Sequence, residues 1–167
     1  MQLGCWCVLS DADITHPREL VRQLVLHAEE RGLELVSLMV RLNCRSAWEV
    51  MLIPAFIFFF QKLYPFPWIN NPSRETAGAA GGCILLRTAT LVQAGGLEKI
   101  KDQVIDDCAL AQLIKPRGPI WIGLTQAVIS HRPYATLREI WSMVIRTAFD
   151  QLHHSALFLA LSVIGMI

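Results

Sequence analysis

The stretch WCVLSDADITH (Trp6–His16) ends an apolar run with two carboxylates that have one residue between them. The apolar part predicts the end of a buried strand. In extended backbone, residues two apart point to the same side, so Asp11 and Asp13 would lie side by side. Two such charges repel each other unless a cation lies between them, and carboxylate oxygens suit Mg²⁺ or Mn²⁺. The alternative is that both aspartates only turn the chain and cap the next helix.

Composition bounds the class of protein. The chain has 167 residues, of which 53% are hydrophobic and 17% are charged, and this is more apolar than an ordinary soluble domain. A net charge of +1 lacks the basic footprint of a nucleic-acid-binding protein, so we expect no nucleic-acid partner. The cysteines show no zinc or redox spacing, and we expect all five to be reduced and buried: Cys5, Cys7, Cys44, Cys83 and Cys108.

Strand and helix signals alternate after the Asp-x-Asp. The pattern predicts helices over 17–32, 46–64, 101–118 and 136–152, and strands over 33–40, 83–87 and 119–130. In the first helix the apolar face is Leu20, Val21, Leu24 and Ala28. In the last helix an apolar stripe runs through Leu137, Ile140, Trp141, Val144, Ile145, Ala148 and Leu152, beside a second face of Arg138, Ser142 and Arg146.

The second helix is apolar on every side. A capping box, Ser46 with Glu49, opens it, and Pro54 predicts a bend. The run 56–60 contains four phenylalanines and an isoleucine, so no face remains polar. Such a helix is buried either in protein or in lipid, and the aromatic residues and lysine that follow favour a membrane interface. Both interpretations stay open from the residues alone.

Three further features carry chemistry. The glycines of loop 70–83, Gly81 and Gly82 among them, let backbone approach a ligand, or simply form a flexible turn. Asp106 and Asp107 open a helix, whose dipole would keep Asp107 ionised as a general base; the alternative is a solvated first-turn acid. An arginine on the last helix, such as Arg146, would offset charge on a departing phosphate.

Six blocks of the chain resemble one family when they are taken together. They are LSDADI (Leu9–Ile14), LVSLMVRLNCRSAWE (Leu35–Glu49), LIPAFIFFFQKLYPF (Leu52–Phe66), AAGGCILLR (Ala79–Arg87), IDDCALA (Ile105–Ala111) and HRPYATLREIWSMVIRTAF (His131–Phe149). The chain resembles the inverting family 2 glycosyltransferases, and most of all the hopene-associated, membrane-bound enzymes encoded with hopanoid biosynthesis.

The resemblance implies an α/β GT-A (Rossmann-like) fold, of which this chain holds the C-terminal part. It divides the chain into an acceptor-side part of the catalytic domain over residues 1–134, an amphipathic interfacial helix over 135–153, and the start of a truncated transmembrane helix over 154–167. The donor-binding half would precede residue 1. The protein would be membrane-associated, with its catalytic part on the cytoplasmic side of the inner membrane.

The resemblance also assigns residues. Asp11 and Asp13 match the metal and diphosphate site, and Gly81 and Gly82 would lie beside the donor. Asp107 matches the catalytic base. Arg146 matches the arginine of a motif that is degenerate here, and Arg138 is the fallback.

The implied reaction moves a sugar from a nucleotide-diphosphate donor to a lipid or polyprenoid-type acceptor, a hopanoid-related one among them, with inversion and a divalent cation. Two alternatives remain open from the residues: a non-catalytic membrane-surface protein, in which the acids are structural, and another metal-dependent phosphate enzyme.

Overall fold

The computed structural model describes residues 5–101, 106–134 and 136–151. Its strands are β1 (Trp6–Leu9), β2 (Ile14–Thr15), β3 (Leu35–Arg41), β4 (Ile84–Arg87) and β5 (Ile120–Ser130). Its α-helices are α1 (Leu20–Arg31), α2 (Ala47–Leu63), α3 (Phe66–Ile69), α4 (Thr88–Gln93), α5 (Asp106–Ile114) and α6 (Leu137–Gln151). The predicted helices and strands are therefore present, with shorter bounds at several ends.

The chain forms two compact units. The first comprises Met1–Asn43 and Tyr64–Arg132, and the second comprises Cys44–Leu63 and Pro133–Ile167, so far as each is described. All five strands belong to the first unit, together with α1, α3, α4 and α5. The second unit holds α2 and α6, which pack on each other.

The first unit is built on one mixed sheet with strand order β1-β4-β3-β5-β2. The pairs β1/β4, β4/β3 and β5/β2 are antiparallel, and β3/β5 is parallel. The strands β1 and β2 therefore lie at opposite edges of the sheet, although only residues 10–13 separate them in the chain.

This short crossing requires the sheet to curl. In a flat sheet, four strand spacings would place β1 and β2 roughly 19 Å apart. The span from Leu9 to Ile14 reaches at most about 17 Å when fully extended. It is shorter here because the Ile14 N–H bonds to the Asp11 carbonyl at 3.3 Å and closes a turn. The β3/β5 register also jumps from Met39↔Leu124 to Arg41↔Ile129, and such an irregularity bends the strand that carries the extra residues.

The Asp-x-Asp therefore lies in a turn, and the expected extended backbone is wrong. The expected burial of the preceding strand is also wrong, because β1 is an edge strand that pairs only with β4 among the described residues. Its side chains are half-buried or exposed, with Val8 39% exposed.

The helix α1 covers one face of the sheet. Its buried residues pack into a cluster with one side of β3 and β4: Leu20, Leu24, Ala28, Val36, Leu38, Val40 and Leu85. Val21, which the sequence placed on the apolar face, is 45% exposed. The helix ends as expected at Gly32, which adopts φ 62°, a conformation that glycine adopts without strain.

The loop 70–83 and α5 lie on the other face. Ser37, which alternates with Val36 and Leu38 on β3, bonds to the Ala80 backbone there. Asn70 joins the loop to β5, because its side-chain amide donates to the Ile122 carbonyl and accepts from the Ile122 N–H, at 3.0 and 2.8 Å.

The capping box of α2 is confirmed. The Glu49 N–H donates to the Ser46 hydroxyl at 3.2 Å, and the Ser46 N–H donates to the Glu49 carboxylate at 2.8 Å. The same carboxylate also accepts from the N–H groups of Arg45 and Tyr134. These backbone bonds, that of Ser46 first, lower the pKa of Glu49 to about 2. Glu49 therefore ties the start of α2 to the segment that leads into α6.

The expected burial of the apolar stripe on α6 is only partly observed. On α6, Ile140 and Met143 are buried, whereas Leu137, Trp141 and Ile145 of the predicted stripe are 41%, 60% and 49% exposed. The apolar stripe is thus wider than the surface that packs within the chain.

All five cysteines are reduced, as expected, but only Cys83 and Cys108 are buried. Cys5 and Cys44 are exposed because they lie just outside β1 and β3.

The burial of Leu24 and the exposure of Val21 on α1 predict different effects of substitution on stability. We expect Leu24→Ala to lower the free energy of unfolding by about 2–4 kcal/mol, because it leaves a cavity in the core. Val21→Ala, on the exposed side of the same helix, should change it by less than about 0.5 kcal/mol. Urea denaturation of both variants measures this, and equal losses would contradict the burial described for α1.

Candidate active site

A cleft of about 580 Å³ opens in the first unit beside the Asp-x-Asp turn. One wall is apolar and is formed by Val8, Leu9, Ile84, Leu97, Ile100 and Leu110. The rest is polar and strongly acidic: Ser10, Asp11, Gly81, Glu98, Lys101, Asp106 and Asp107. The cleft therefore joins the turn, the glycine loop and the start of α5, three segments that the sequence singled out separately.

Asp107 is held at this cleft by backbone. Its Oδ2 accepts the Gly81 N–H at 2.7 Å, and its Oδ1 accepts the Cys108 N–H at 2.7 Å. The first bond crosses from the glycine loop to α5, and the second is made within the first turn of α5. Both carboxylate oxygens are thus fixed in place on the rim of the cleft.

Burial controls the proton affinity of Asp107. Removal from water raises the pKa of Asp107 to about 6, and the negative charges of Asp106 and Asp11 act in the same direction. The bonds from Cys108 and Gly81 oppose them. The helix start was expected to keep Asp107 ionised; burial raises the pKa of Asp107 but leaves it below 7, so the carboxyl is still mainly ionised at neutral pH. A pKa near neutrality suits a group that accepts and releases a proton.

Asp11 faces the same cleft. Burial raises its pKa above the usual range, and so do the neighbouring charges of Asp13 and Asp106, whereas Arg132 lowers it. Asp11, Asp106 and Asp107 therefore act on one another electrostatically within one cleft, which like charges do only at a cost.

Asp13 is not among the residues that line the cleft. Its Oδ2 accepts a hydrogen bond from the Ser130 hydroxyl at 2.5 Å, and its carbonyl accepts the His131 N–H at 2.9 Å. The turn thereby attaches to the end of β5. Asp11 and Asp13 are electrostatic neighbours, but in this turn they have different partners.

The two glycines have different surroundings. A Cβ on Gly81 would lie 3.3 Å from the Asp107 Oδ2, so glycine permits the close approach of this N–H to the carboxylate. A Cβ on Gly82 would lie 2.8 Å from the Val40 side chain, so Gly82 is required by packing. Its carbonyl accepts a bond from the Ser10 hydroxyl at 3.1 Å. Gly82 does not line the cleft, although the sequence placed it beside the donor.

The arginine of the last helix is placed only by its backbone. Arg146 lies within α6, and its side chain falls outside the part of the chain that is described. Arg138 is on the same helix and is exposed. His131, the residue after β5, bonds through Nε2 to the Thr15 hydroxyl at 2.8 Å.

The carboxylates at the cleft could hold a cation only if a bound substrate supplied further ligands. Within residues 5–101, 106–134 and 136–151, no group of three or more His, Cys, Asp or Glu side chains is arranged to hold a metal ion. Carboxylates are nevertheless hard oxygen ligands, and neighbouring negative charges contribute to the raised pKa of both Asp11 and Asp107, so a cation would relieve this repulsion. Mg²⁺ commonly takes one or two carboxylates and completes its shell with phosphates and water.

Sequence reasoning missed the residues that fix the site. Ser37, Ser10 and Ser130 each anchor one of its segments, and Lys101 places a positive charge on the cleft wall. The signal available for Ser37 was a lone polar residue inside the apolar strand LVSLMV, since a buried hydroxyl requires a partner.

The raised pKa of Asp107 predicts a pH-dependent stability. Between the model-peptide value of 3.8 and about 6, the folded chain binds the proton of Asp107 more tightly than the unfolded chain, so the parent loses stability as pH rises. Asp107→Asn removes this titration. The quantity to compare is the free energy of unfolding of the variant minus that of the parent. We expect this difference to rise by up to about 3 kcal/mol between pH 4 and pH 8. Denaturation at both pH values measures it. Glu75→Gln, at an exposed acid outside the cleft, is the control, and a parallel pH dependence for Asp107→Asn would contradict the burial.

Comparison with known proteins gives the family. A search of curated proteins finds no match for this chain. The sequence matches the family described as glycosyl transferase family 21 over residues 5–164, which is nearly its whole length. The resemblance to glycosyltransferases is thus confirmed, and its narrower assignment to family 2 and to hopanoid clusters stays a prediction. The chain belongs to glycosyl transferase family 21 and is a glycosyltransferase.

Proposed function

We propose that the chain transfers a sugar, with inversion, from a nucleotide-diphosphate donor to a hydroxyl group of a lipid-type acceptor, on a GT-A-like domain. The observation that carries the proposal is Asp107, fixed by two N–H groups at an acidic cleft with its pKa raised to about 6. The family supports sugar transfer itself. A hopanoid-related acceptor is the narrower form of the same proposal.

Asp107 is the proposed general base. Its carboxylate takes the proton of the acceptor hydroxyl while that oxygen attacks the anomeric carbon of the sugar. The bond from the sugar to the diphosphate breaks on the opposite side, so a single displacement inverts the anomeric centre. Because both oxygens of Asp107 are already held by N–H groups, the base needs little reorganisation during the reaction.

Asp11, together with Asp13, is the proposed site for Mg²⁺ or Mn²⁺. Bound there with the donor diphosphate, the cation would offset the charge on the leaving group. Asp11 faces the cleft, and Asp13 is positioned by Ser130. Lys101 contributes a positive charge from the cleft wall, and Arg146 stays a candidate for the same task. The Gly81 N–H bonds to Asp107, and Gly81 also lines the cleft, so its place beside the donor stays a prediction.

The second unit supports a membrane location. Among the described residues, one helical stretch, Ala47–Ile69, is long and apolar enough to cross a membrane by length and composition alone. The core helix of a soluble protein can pass the same test, but such a helix is mostly buried. In the stretch Ala47–Ile69, only 11% of the most apolar window is buried. Both of its helices carry large apolar side chains that are exposed and that a membrane contact would bury: Trp48, Val50, Met51, Phe58, Leu137, Trp141 and Ile145. We propose that this unit contacts lipid on the cytoplasmic side of the inner membrane.

Loss of the base should abolish transfer. In the intact protein we expect Asp107→Asn to lower kcat at least about 100-fold, because no other group would accept the proton at that point. Transfer of radiolabelled sugar from nucleotide-sugar donors to extracted lipids measures this, and Glu75→Gln is the matched control. Transfer at the parental rate in Asp107→Asn would contradict the proposed base.

The same assay tests the cation. We expect EDTA to abolish transfer and added Mg²⁺ or Mn²⁺ to restore it; activity that is insensitive to EDTA would contradict this part of the proposal. If the intact parent transfers no sugar to any lipid but binds membranes, the alternative of a non-catalytic membrane-surface protein is favoured.

The exposed surface of α2 should bind lipid. We expect replacement of Trp48, Met51 and Phe58 by serine to weaken binding to phospholipid vesicles at least about tenfold, since each buried apolar side chain contributes roughly 1.5–3 kcal/mol. Vesicle sedimentation measures this. The matched control replaces Val21, Val92 and Leu124, exposed apolar residues of the first unit, by serine. Equal losses in both triple variants would contradict a role specific to α2.

A further inference from the structure

The bond from Gly81 to Asp107 depends on how one peptide unit is oriented. The Gly81 N–H and the Ala80 carbonyl belong to the same planar, trans peptide group, so they point in opposite directions. Whatever holds the Ala80 carbonyl therefore also aims the Gly81 N–H. Loop 70–83 contains several small residues and has little bulk of its own to fix this orientation.

Ser37 holds that carbonyl. Its hydroxyl donates to the Ala80 carbonyl at 3.1 Å and accepts the Ala80 N–H at 2.8 Å. Ser37 is fully buried in the centre of β3, between Ile84 of β4 and Ile122 of β5. Both backbone polar groups of Ala80 are thus tied to the most rigid part of the sheet.

A continuous chain of hydrogen bonds results. It runs from the Ser37 hydroxyl to the Ala80 carbonyl, through the peptide group, and from the Gly81 N–H to the Asp107 Oδ2 at 2.7 Å. Hydrogen bonds arranged in series polarise one another, so the first strengthens the last.

We propose that Ser37 is a positioning residue for Asp107, acting through the Ala80–Gly81 peptide. This inference rests on the proposed function for its effect on catalysis, but the coupling itself does not. Ser37 touches neither the cleft nor a substrate; it orients the N–H that stabilises the charged form of the base.

The direction of the effect follows from the charges around Asp107. The Gly81 N–H favours the ionised carboxylate, and the Asp106 and Asp11 charges disfavour it. The Cys108 thiol is adjacent and is contacted by Tyr64, and Glu98 and Lys101 line the same cleft. Ser37→Ala alters none of these groups and changes no charge. A weakened Gly81 bond should therefore raise the pKa of Asp107.

The test is the titration of Asp107 itself, followed by carboxyl ¹³C NMR in the intact chain. A hydrogen bond to a charged group contributes enough for a shift of about one pH unit on its weakening, and we expect this increase in Ser37→Ala. The acidic limb of kcat/KM should move equally. The kcat/KM of Ser37→Ala at pH 5.5 should then be about eightfold below that of the parent, and its kcat/KM at pH 8 should stay within about twofold of the parent.

Thr90→Val is the matched control. Thr90 is also a buried hydroxyl of the first unit, but it bonds to Glu34, away from the cleft. It should leave the titration of Asp107 unchanged. If Ser37→Ala does not fold, Ser37→Cys fills the same position with a slightly larger side chain and a weaker hydrogen-bond donor, and it should shift the pKa of Asp107 in the same direction by less.

The outcomes separate the two proposals. An unchanged Asp107 titration in a folded Ser37 variant would overturn the coupling, whatever the activity. A shifted titration, combined with parental transfer by Asp107→Asn, would support the coupling and reject Asp107 as the base. A fall in rate that is uniform across pH, with no shifted titration, would make Ser37 merely structural.

Discussion

The architecture of the first unit depends on the short crossing between β1 and β2. Residues 10–13 must join strands at opposite edges of a five-stranded sheet, and a flat sheet would place those edges too far apart. The sheet curls to close the gap, and the crossing becomes a tight turn over the strand ends. The acidic residues of the crossing are thereby brought beside the glycine loop and α5. The cleft therefore results from the same constraint that shapes the sheet.

That cleft concentrates negative charge where water is partly excluded. Burial and mutual repulsion raise the pKa of both Asp11 and Asp107, which costs folding free energy above the ordinary titration range of an aspartate. Carboxylates whose pKa is raised by burial and repulsion cluster at functional sites. In a glycosyltransferase, the roles proposed for such carboxylates are accepting a proton and holding a cation against a diphosphate.

The sequence was informative where chemistry is local. Hydrophobic periodicity predicted α1, β3, β5 and α6, and the capping box predicted the start of α2, because these signals depend on near neighbours in the chain. It failed where tertiary pairing decides. The exposure of β1 and the turn at Asp11 follow from strand order, and the exposure of Val21 follows from how α1 packs on the sheet; no local pattern encodes either. Similarly, Asp107 was found by its position in the first turn of a helix, but its partner Gly81 and its burial depend on a loop 26 residues away in sequence.

The state of Asp107 is a balance of opposed effects. Full exposure would leave it too weak a base at neutral pH, and burial without hydrogen bonds would keep it protonated. Two N–H groups at 2.7 Å offset part of the cost of burial and bring its pKa to about 6. Gly81 is suited to this balance because a Cβ would lie only 3.3 Å from the carboxylate oxygen. Gly81, the buried Ser37 behind it and Asp107 are thus coupled through hydrogen bonds. Changing any of the three changes the proton affinity of Asp107.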